Sequence, residues 1–360
     1  MSIKKFLILV ELSLLCFLTG CNNVSGLDEH LIVYGLGVDK IENVYELTAQ
    51  ALNAQNTESS TSNDAPKKVN TVSASGTTLL EAEKQLEIQT GKKILYSHAI
   101  VLIIGEETAK DGINEIVRFF STNHKLRPTV EVLISNTPPK DVLSSENKFN
   151  AEDILSITRL GKEKDDAIHS TLRYLLGDLE KNLKSAKVWY LENEGDTVAC
   201  SRIAFFQDDK LLTVLGKEPS KGALLLLGKV KNISDYVEVD GKRLLLDIKR
   251  AKPKVILTLN GEQLNFKIDL KVDLNLYNPG EVVSSSQAVE EIISVRLMSL
   301  INDAITDSVK NQGCDIFNFH KYIMNNYVDF FKTNENKIKD LLMGANYKVQ
   351  FSTNIQHMDF

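Results

Sequence analysis

Two apolar rhythms run through the chain, one of period two and one of period 3.6, and they alternate several times. Ile32-Val33-Tyr34-Gly35-Leu36-Gly37-Val38-Asp39 reads as a strand ending in a turn, for which its glycines supply conformational freedom. Tyr45 to Leu52 alternates as its hairpin partner, across a turn near Glu42-Asn43. Asn53 to Asn70 has almost no apolar residue and contains Pro66, so it reads as a loop, and Val69 to Ala74 returns as a strand. From Thr77 to Thr90 the period lengthens. Leu79, Ala82 and Leu86 recur at helical spacing, Thr78 and Glu81 have the spacing of a capping pair, and Gly91 ends the helix. Leu95 to Gly105 is a compact apolar strand. Asp111 to Ser121 is a helix with Ile113, Ile116, Val117 and Phe120 on one face, and Thr129 to Ser135 is a further strand. Pro138-Pro139 breaks the pattern.

Beyond the break, Ala151 to Leu160 and Ser170 to Leu183 read as helices. Val188 to Leu191, Val198 to Phe206 and Leu211 to Gly216 read as strands. The last third predicts a run of strands at Gly222 to Lys231, Leu244 to Ala251, Lys254 to Asn260 and Asn265 to Asn275, with hairpin signals at Asp240-Gly241 and Asn260-Gly261. Ser284 to Ser308 carries Val289, Ile292, Ile293, Leu297, Leu300, Ile301 and Ile305 at helical spacing, and so predicts a long amphipathic helix. Phe319 to Phe331 and Lys332 to Gly344 add helix. Tyr347 to Ile355 closes the chain as a strand with Val349, Phe351 and Thr353 on one face. Strands and helices without a steady βαβ rhythm predict an α+β fold. Its sheets are mixed and mostly antiparallel with packed helices, in two to three domains, and it is not a doubly wound parallel sheet. The expected divisions are an N-terminal α+β domain at 27–140, a middle region at 141–215, and a C-terminal α+β domain at 216–360.

The first residues follow a different logic. Lys4 and Lys5 precede an apolar stretch from Phe6 to Leu18, interrupted by Glu11, and small residues Thr19 and Gly20 lead into Cys21. A positive start, a short apolar core and a small-residue cleavage region mark an export signal. The stretch is shorter than the roughly 20 residues a membrane-spanning helix needs. Leu18-Thr19-Gly20-Cys21 resembles a bacterial lipobox. The expectation is a signal peptide at 1–20 that is cleaved, an S-diacylglycerol on Cys21 with its amino group open to acylation, and a tether at 22–26. Two acyl chains attach stably where one does so only reversibly. No later segment offers 18 uncharged apolar residues.

The formal net charge is −6, and becomes −7 without residues 1–20, which carry Lys4, Lys5 and Glu11. An acidic body argues against nucleic acid as partner and against general adhesion to anionic lipid, which leaves attachment to the anchor. With Cys16 in the signal and Cys21 lipidated, Cys200 and Cys314 remain. Two distant thiols make neither a disulfide framework nor a metal site, and read as buried free thiols, with a single bridge as the alternative.

The residues that could carry chemistry are scattered. His30, His98, His124, His169, His320 and His357 include no pair at metal-binding helical spacing, so no metal is expected. There is no nucleophile elbow or phosphate loop, and Gly35-Leu36-Gly37 lacks the third glycine of a dinucleotide fingerprint. No catalytic residue and no cofactor are expected. Asp39-Lys40 reads as a solvated turn, His98 as a capping or core histidine, and Trp189-Tyr190 as a core anchor.

Several stretches resemble a known family. Cys21 is followed by Val33-Tyr34-Gly35-Leu36-Gly37-Val38-Asp39-Lys40 and Tyr45-Glu46-Leu47-Thr48-Ala49-Gln50. That is similar to the "GxGxDK … YxLTxQ" pattern of the Ger(x)C lipoproteins, the C subunits of spore germinant receptors. Gly76-Thr77-Thr78, Glu81-Ala82, Gly91-Lys92, His98, Ile103-Ile104-Gly105-Glu106, Ala109, Gly112-Ile113 and Arg127-Pro128 follow the family's order. Cys314-Asp315-Ile316-Phe317-Asn318-Phe319 resembles its "DifgFg" segment, with His320 in place of the last glycine. Asn22-Asn23-Val24 stands where the family has an acidic, Trp-containing stretch, and Phe330-Phe331 where it has Trp. The resemblance implies three α+β domains and a non-enzymatic subunit on the outer face of the spore inner membrane. Its implied partners are a multi-span A subunit and a transporter-like B subunit. It assigns no ligand-binding residue. The competing reading is a lipid-anchored solute-binding protein of a transporter, which the strand-rich final third disfavours.

Overall fold

The computed structural model describes residues 29–52, 69–122, 126–144, 150–162, 168, 170–179, 186–194, 197–228, 233–278 and 285–359. The expected signal peptide, Cys21, the 22–26 tether, most of the Asn53 to Asn70 loop, His124 and His169 lie outside them.

The first strands are β1 (His30–Ile41), β2 (Val44–Leu52) and β3 (Val69–Gly76), followed by helix α1 (Leu79–Thr90) and strands β4 (Lys93–Leu95) and β5 (Val101–Gly105). Helices α2 (Glu106–Asp111) and α3 (Asn114–Ser121) lead to β6 (Glu131–Ser135). Helices α4 (Pro139–Val142), α5 (Ala151–Lys162) and α6 (Leu172–Leu179) lead to β7 (Lys187–Glu194), β8 (Thr197–Gln207) and β9 (Lys210–Val214). These strands form one sheet in the order β3-β2-β1-β5-β6-β7-β8-β9, with β4 paired to the start of β1. Its centre is parallel, through β1, β5, β6 and β7, and antiparallel hairpins flank it on both sides. The strands of 27–140 and those of 141–215 therefore belong to one sheet.

Burial on both faces explains why β5 reads as an unbroken apolar run. Leu102 and Ile104 point into a core with α1, α3 and α6, while Val101 and Ile103 enter a second core on the opposite face. β6 and β7 divide likewise: Tyr190 joins the first core and Trp189 the second, so this pair anchors both.

Helix α7 (Lys217–Leu227) connects to strands β10 (Ile233–Val239), β11 (Lys242–Asn260) and β12 (Gln263–Asn278). Then come the long helix α8 (Ser286–Ile305), helices α9 (Phe319–Asn326), α10 (Val328–Asn334) and α11 (Ile338–Met343), and β13 (Asn346–Asp359). The four strands form a second sheet in chain order. Its hairpins are antiparallel, and β13 returns parallel to β12. One face packs on α8, α9 and α11. The molecule is α+β with mixed sheets and is not a doubly wound parallel sheet.

Several local expectations change. Residues 217–227 are helix, not the strand expected at Gly222 to Lys231: Pro219 sits in the first turn, where its missing N–H is harmless, and Gly228 ends the helix at φ 69°. Leu244 to Asn260 is one strand with an irregularity between Ile248 and Arg250. Pro253 fits there because, among the described residues, β10 pairs with β11 only as far as Ile248, so no strand is paired to that edge at Pro253. The helix expected at Asp111 to Ser121 is two helices parted at Gly112, φ 134°. The turn after Asn260 is made by Gly261-Glu262, one residue later than its signal, since Asn260 still pairs with Gln263. The long helix ends in a π-helical turn, Thr306–Lys310.

Candidate functional site

Two of the motif stretches meet where the parallel strands end. Gly35 and Gly37 lie inside β1 rather than in a turn. A Cβ on Gly37 would stand 2.7 Å from Pro139 Cβ, and one on Gly35 2.9 Å from Leu143 Cδ2, so these glycines let α4 lie directly on the strand. The turn is Glu42-Asn43, with both residues at positive φ (51° and 67°), the geometry of a tight hairpin.

Asp39 and Lys40 are half-buried within β1 rather than in a solvated turn. Asp39 Oδ1 accepts from Thr108 Oγ1 at 2.5 Å and from Lys40 N at 3.0 Å, and Lys40 N also donates to Thr108 Oγ1 at 2.7 Å. Gly105 permits this closeness, because a Cβ there would lie 2.5 Å from Asp39 Oδ1. The "GxGxDK" and "iiGE" stretches are thus two halves of one clamp, tying β1 to β5 and the start of α2. Lys40 Nζ lies over the Tyr45 ring at 5.4 Å, and Tyr45 Oη donates to Glu115 Oε2 at 2.6 Å.

A polar chain continues along the same edge. Tyr190 Oη donates to Glu106, which Lys110 also binds at 2.9 Å. Burial works to raise the Glu106 carboxyl, but hydrogen bonds from Tyr190 and Lys110 and the charges of Lys110 and Arg202 hold it below its ordinary range. Arg202 lies over the Tyr190 ring at 5.2 Å and reaches Glu192 at 3.1 Å. Sequence reasoning missed a further network. Asp235 on β10 accepts from Arg296 Nε of α8 at 2.8 Å and from Lys221 Nζ of α7 at 2.8 Å, and Arg296 also binds Glu218. The i,i+3 pairing of Glu218 and Lys221 would have signalled a helix there.

At the C-terminal motif, Asp315 caps α9. Its carboxylate accepts from Phe319 N at 3.0 Å, from His320 N at 2.7 Å, and pairs with the His320 ring at 2.5 Å. Asn318 stands at φ 60°, where the resembled family has glycine, and asparagine tolerates that conformation. His320 is buried. His98 is exposed at the end of a short 3-10 turn beside the Tyr34 ring, rather than in the core.

Cys200 and Cys314 are both free. Burial pushes each thiol up to about 12, aided by Glu131 and Glu192 at Cys200 and by Asp315 at Cys314. Such thiols stay protonated near neutrality and are poor nucleophiles. Native protein at pH 8 should therefore react slowly with a thiol reagent at both positions and quickly after unfolding. Because the folded-state pKa values are raised, the thiols' contribution to stability is intact below about pH 9 and is lost as pH rises toward 12. Denaturant midpoints at pH 8 and 10.5 check the sign. No group of three or more His, Cys, Asp or Glu among the described residues could hold a metal ion. The motif residues brought together here use side-chain hydrogen bonds to tie β1 to α2 and the 314–319 segment to the start of α9.

Two family models match consecutive parts of the chain. Residues 24–192 match the family model described as the spore germination protein N-terminal domain. Residues 201–359 match the one described as spore germination B3/GerAC-like, C-terminal. The putative spore germination protein YfkR of Bacillus subtilis (strain 168) is 23% identical over 310 residues, covering 82% of this chain and 79% of YfkR. The crystal structure of the GerBC protein superposes with a TM-score of 0.58 at 15% identity, covering 89% of this chain and 96% of that one. Fold likeness is what that structure contributes.

Proposed function

The chain belongs to the Ger(x)C family of spore germination proteins, and from that membership we propose that it is the lipid-anchored, non-enzymatic C subunit of a nutrient germinant receptor. The observation that carries the reading is the pair of family matches, which together span both sheets. In this reading Cys21 carries the diacylglycerol, and the body sits on the outer face of the spore inner membrane. There it contacts a multi-span A subunit and a transporter-like B subunit. Tethering raises the effective concentration of the body near those partners without any new contact. The closed polar clamps and the protonated thiols support a role in contact rather than chemistry.

Cys21→Ala tests it. The variant is expected to leave the membrane fraction, to lose co-purification with multi-span subunits from spore membranes, and to germinate poorly, with an unchanged thermal unfolding midpoint. Wild-type germination by a diffusible, unlipidated variant would overturn the proposal.

A further inference from the structure

The net negative charge hides a local exception. The two ends of the larger sheet differ, because β1, β4, β5, β6 and β7 all start at one end. His30 opens β1 opposite Lys93, and α1 descends to the same end through Gly91 and Lys92. Arg127 lies four residues before Glu131, the partner of Val101, and Arg173 N bonds Pro128 O at 3.0 Å, which puts Arg173 beside it. Lys92, Lys93, Arg127 and Arg173 are exposed, and none forms a salt bridge among the described residues. Ile88, in the last turn of α1 and four residues before Lys92, is 71% exposed. Against these cations stand Glu29 at the start of β1 and Glu87 of α1, whose Oε1 accepts from Ile94 N at 3.4 Å and which Lys84 pairs at 2.7 Å.

The chain enters the fold at this same end. Glu29 follows Cys21 by eight residues, which can span at most about 28 Å. The other end of β1, at Ile41, lies about 36 Å further along the strand. We propose that the subunit stands on the bilayer on this end, with Lys92, Lys93, Arg127 and Arg173 against anionic phospholipid headgroups and Ile88 at the interface. The inference rests on the lipid anchor at Cys21 and adds an orientation to it. The opposite end, with the Glu42-Asn43 hairpin tip and the Asp39–Thr108 clamp, then faces away from the membrane.

Ile88→Cys and Val44→Cys test the orientation in the full lipidated chain. Cys21 carries its lipid, and Cys200 and Cys314 are held protonated with pKa values of about 12, so a fluorophore attaches at the introduced thiol. The labelled protein is placed on phosphatidylcholine vesicles, with or without phosphatidylglycerol, that carry a quencher on the headgroup. Strong quenching at residue 88 and little at residue 44, only with phosphatidylglycerol, is the expected result. Each of Lys92→Glu and Lys93→Glu should lower the docked population at least about fivefold while the protein still floats with the vesicles. Flotation with equal quenching at both positions overturns the orientation, and quenching at residue 88 that ignores phosphatidylglycerol overturns the contact of the cations with anionic headgroups. Loss of flotation overturns the anchor and the orientation with it.

Discussion

Gly222→Ala is expected to destabilise the protein by about 3 kcal/mol. Helix propensity alone predicts the opposite sign, since alanine in a helix interior is favoured over glycine by about 1 kcal/mol. Packing decides. Gly222 lies in α7 against α8, and a Cβ there would overlap the carbonyl oxygen and carbon of Leu300 and stand 2.9 Å from Ile301 N. Those are backbone atoms of a 20-residue helix and cannot swing aside. The helices must separate, which also loosens Ser220, whose Oγ accepts from Ile203 N at 3.2 Å, and the Asp235–Arg296–Lys221 network. The thermal midpoint should fall by roughly 6–12 °C. Gly177→Ala is the matched control. It too is a helical glycine, but its new Cβ would meet nothing within 4 Å, so the midpoint should hold or rise. Equal midpoints for the two variants would show that α7 does not lie as closely on α8 as described.

Helix α7 is also where sequence pattern failed, and the reason is physical. Ala223, Leu225 and Leu226 are all buried, Ala223 in the core shared with the larger sheet and the two leucines in the core of the smaller one. A helix buried on two sides shows no polar face, so its period disappears and a short apolar run reads as strand. The glycines of β1 failed for a related reason. A sequence shows that Gly35 and Gly37 need freedom or space, but not which, and the answer came from Pro139 and Leu143 a hundred residues away. Features set by neighbours in sequence were legible. Thr78 Oγ1 accepts from Glu81 N at 3.1 Å, as the capping spacing predicts, and Asp240-Gly241 forms its tight hairpin with both residues at positive φ. The clamp of Asp39 on Thr108 was not legible, because its two halves lie 69 positions apart. Cys21, the one site residue read from sequence, rests on local chemistry alone and stands outside the described residues.

Phe319→Ala should cost about 3–5 kcal/mol, through lost burial and an unfilled cavity. Phe319 is 2% exposed at the start of α9. Its ring centroid lies 4.8 Å from that of Phe266 on β12, 5.2 Å from Tyr347 on β13 and 5.5 Å from Phe317. Phe266 and Tyr347 are register partners, stacked at 5.2 Å with 4° between their planes. Phe319 therefore seats the helical crossover on the one parallel pair of the smaller sheet, and a parallel edge strand has no hairpin to hold it. The loss should be unequal. Amide exchange in β13 should quicken first, while the β10–β12 strands and the larger sheet keep their protection. Phe319→Leu, which retains much of the volume, should fall between alanine and wild type. Uniform acceleration of exchange across both sheets would mean that the two units unfold as one, and that the aromatic cluster does not hold β13 in particular.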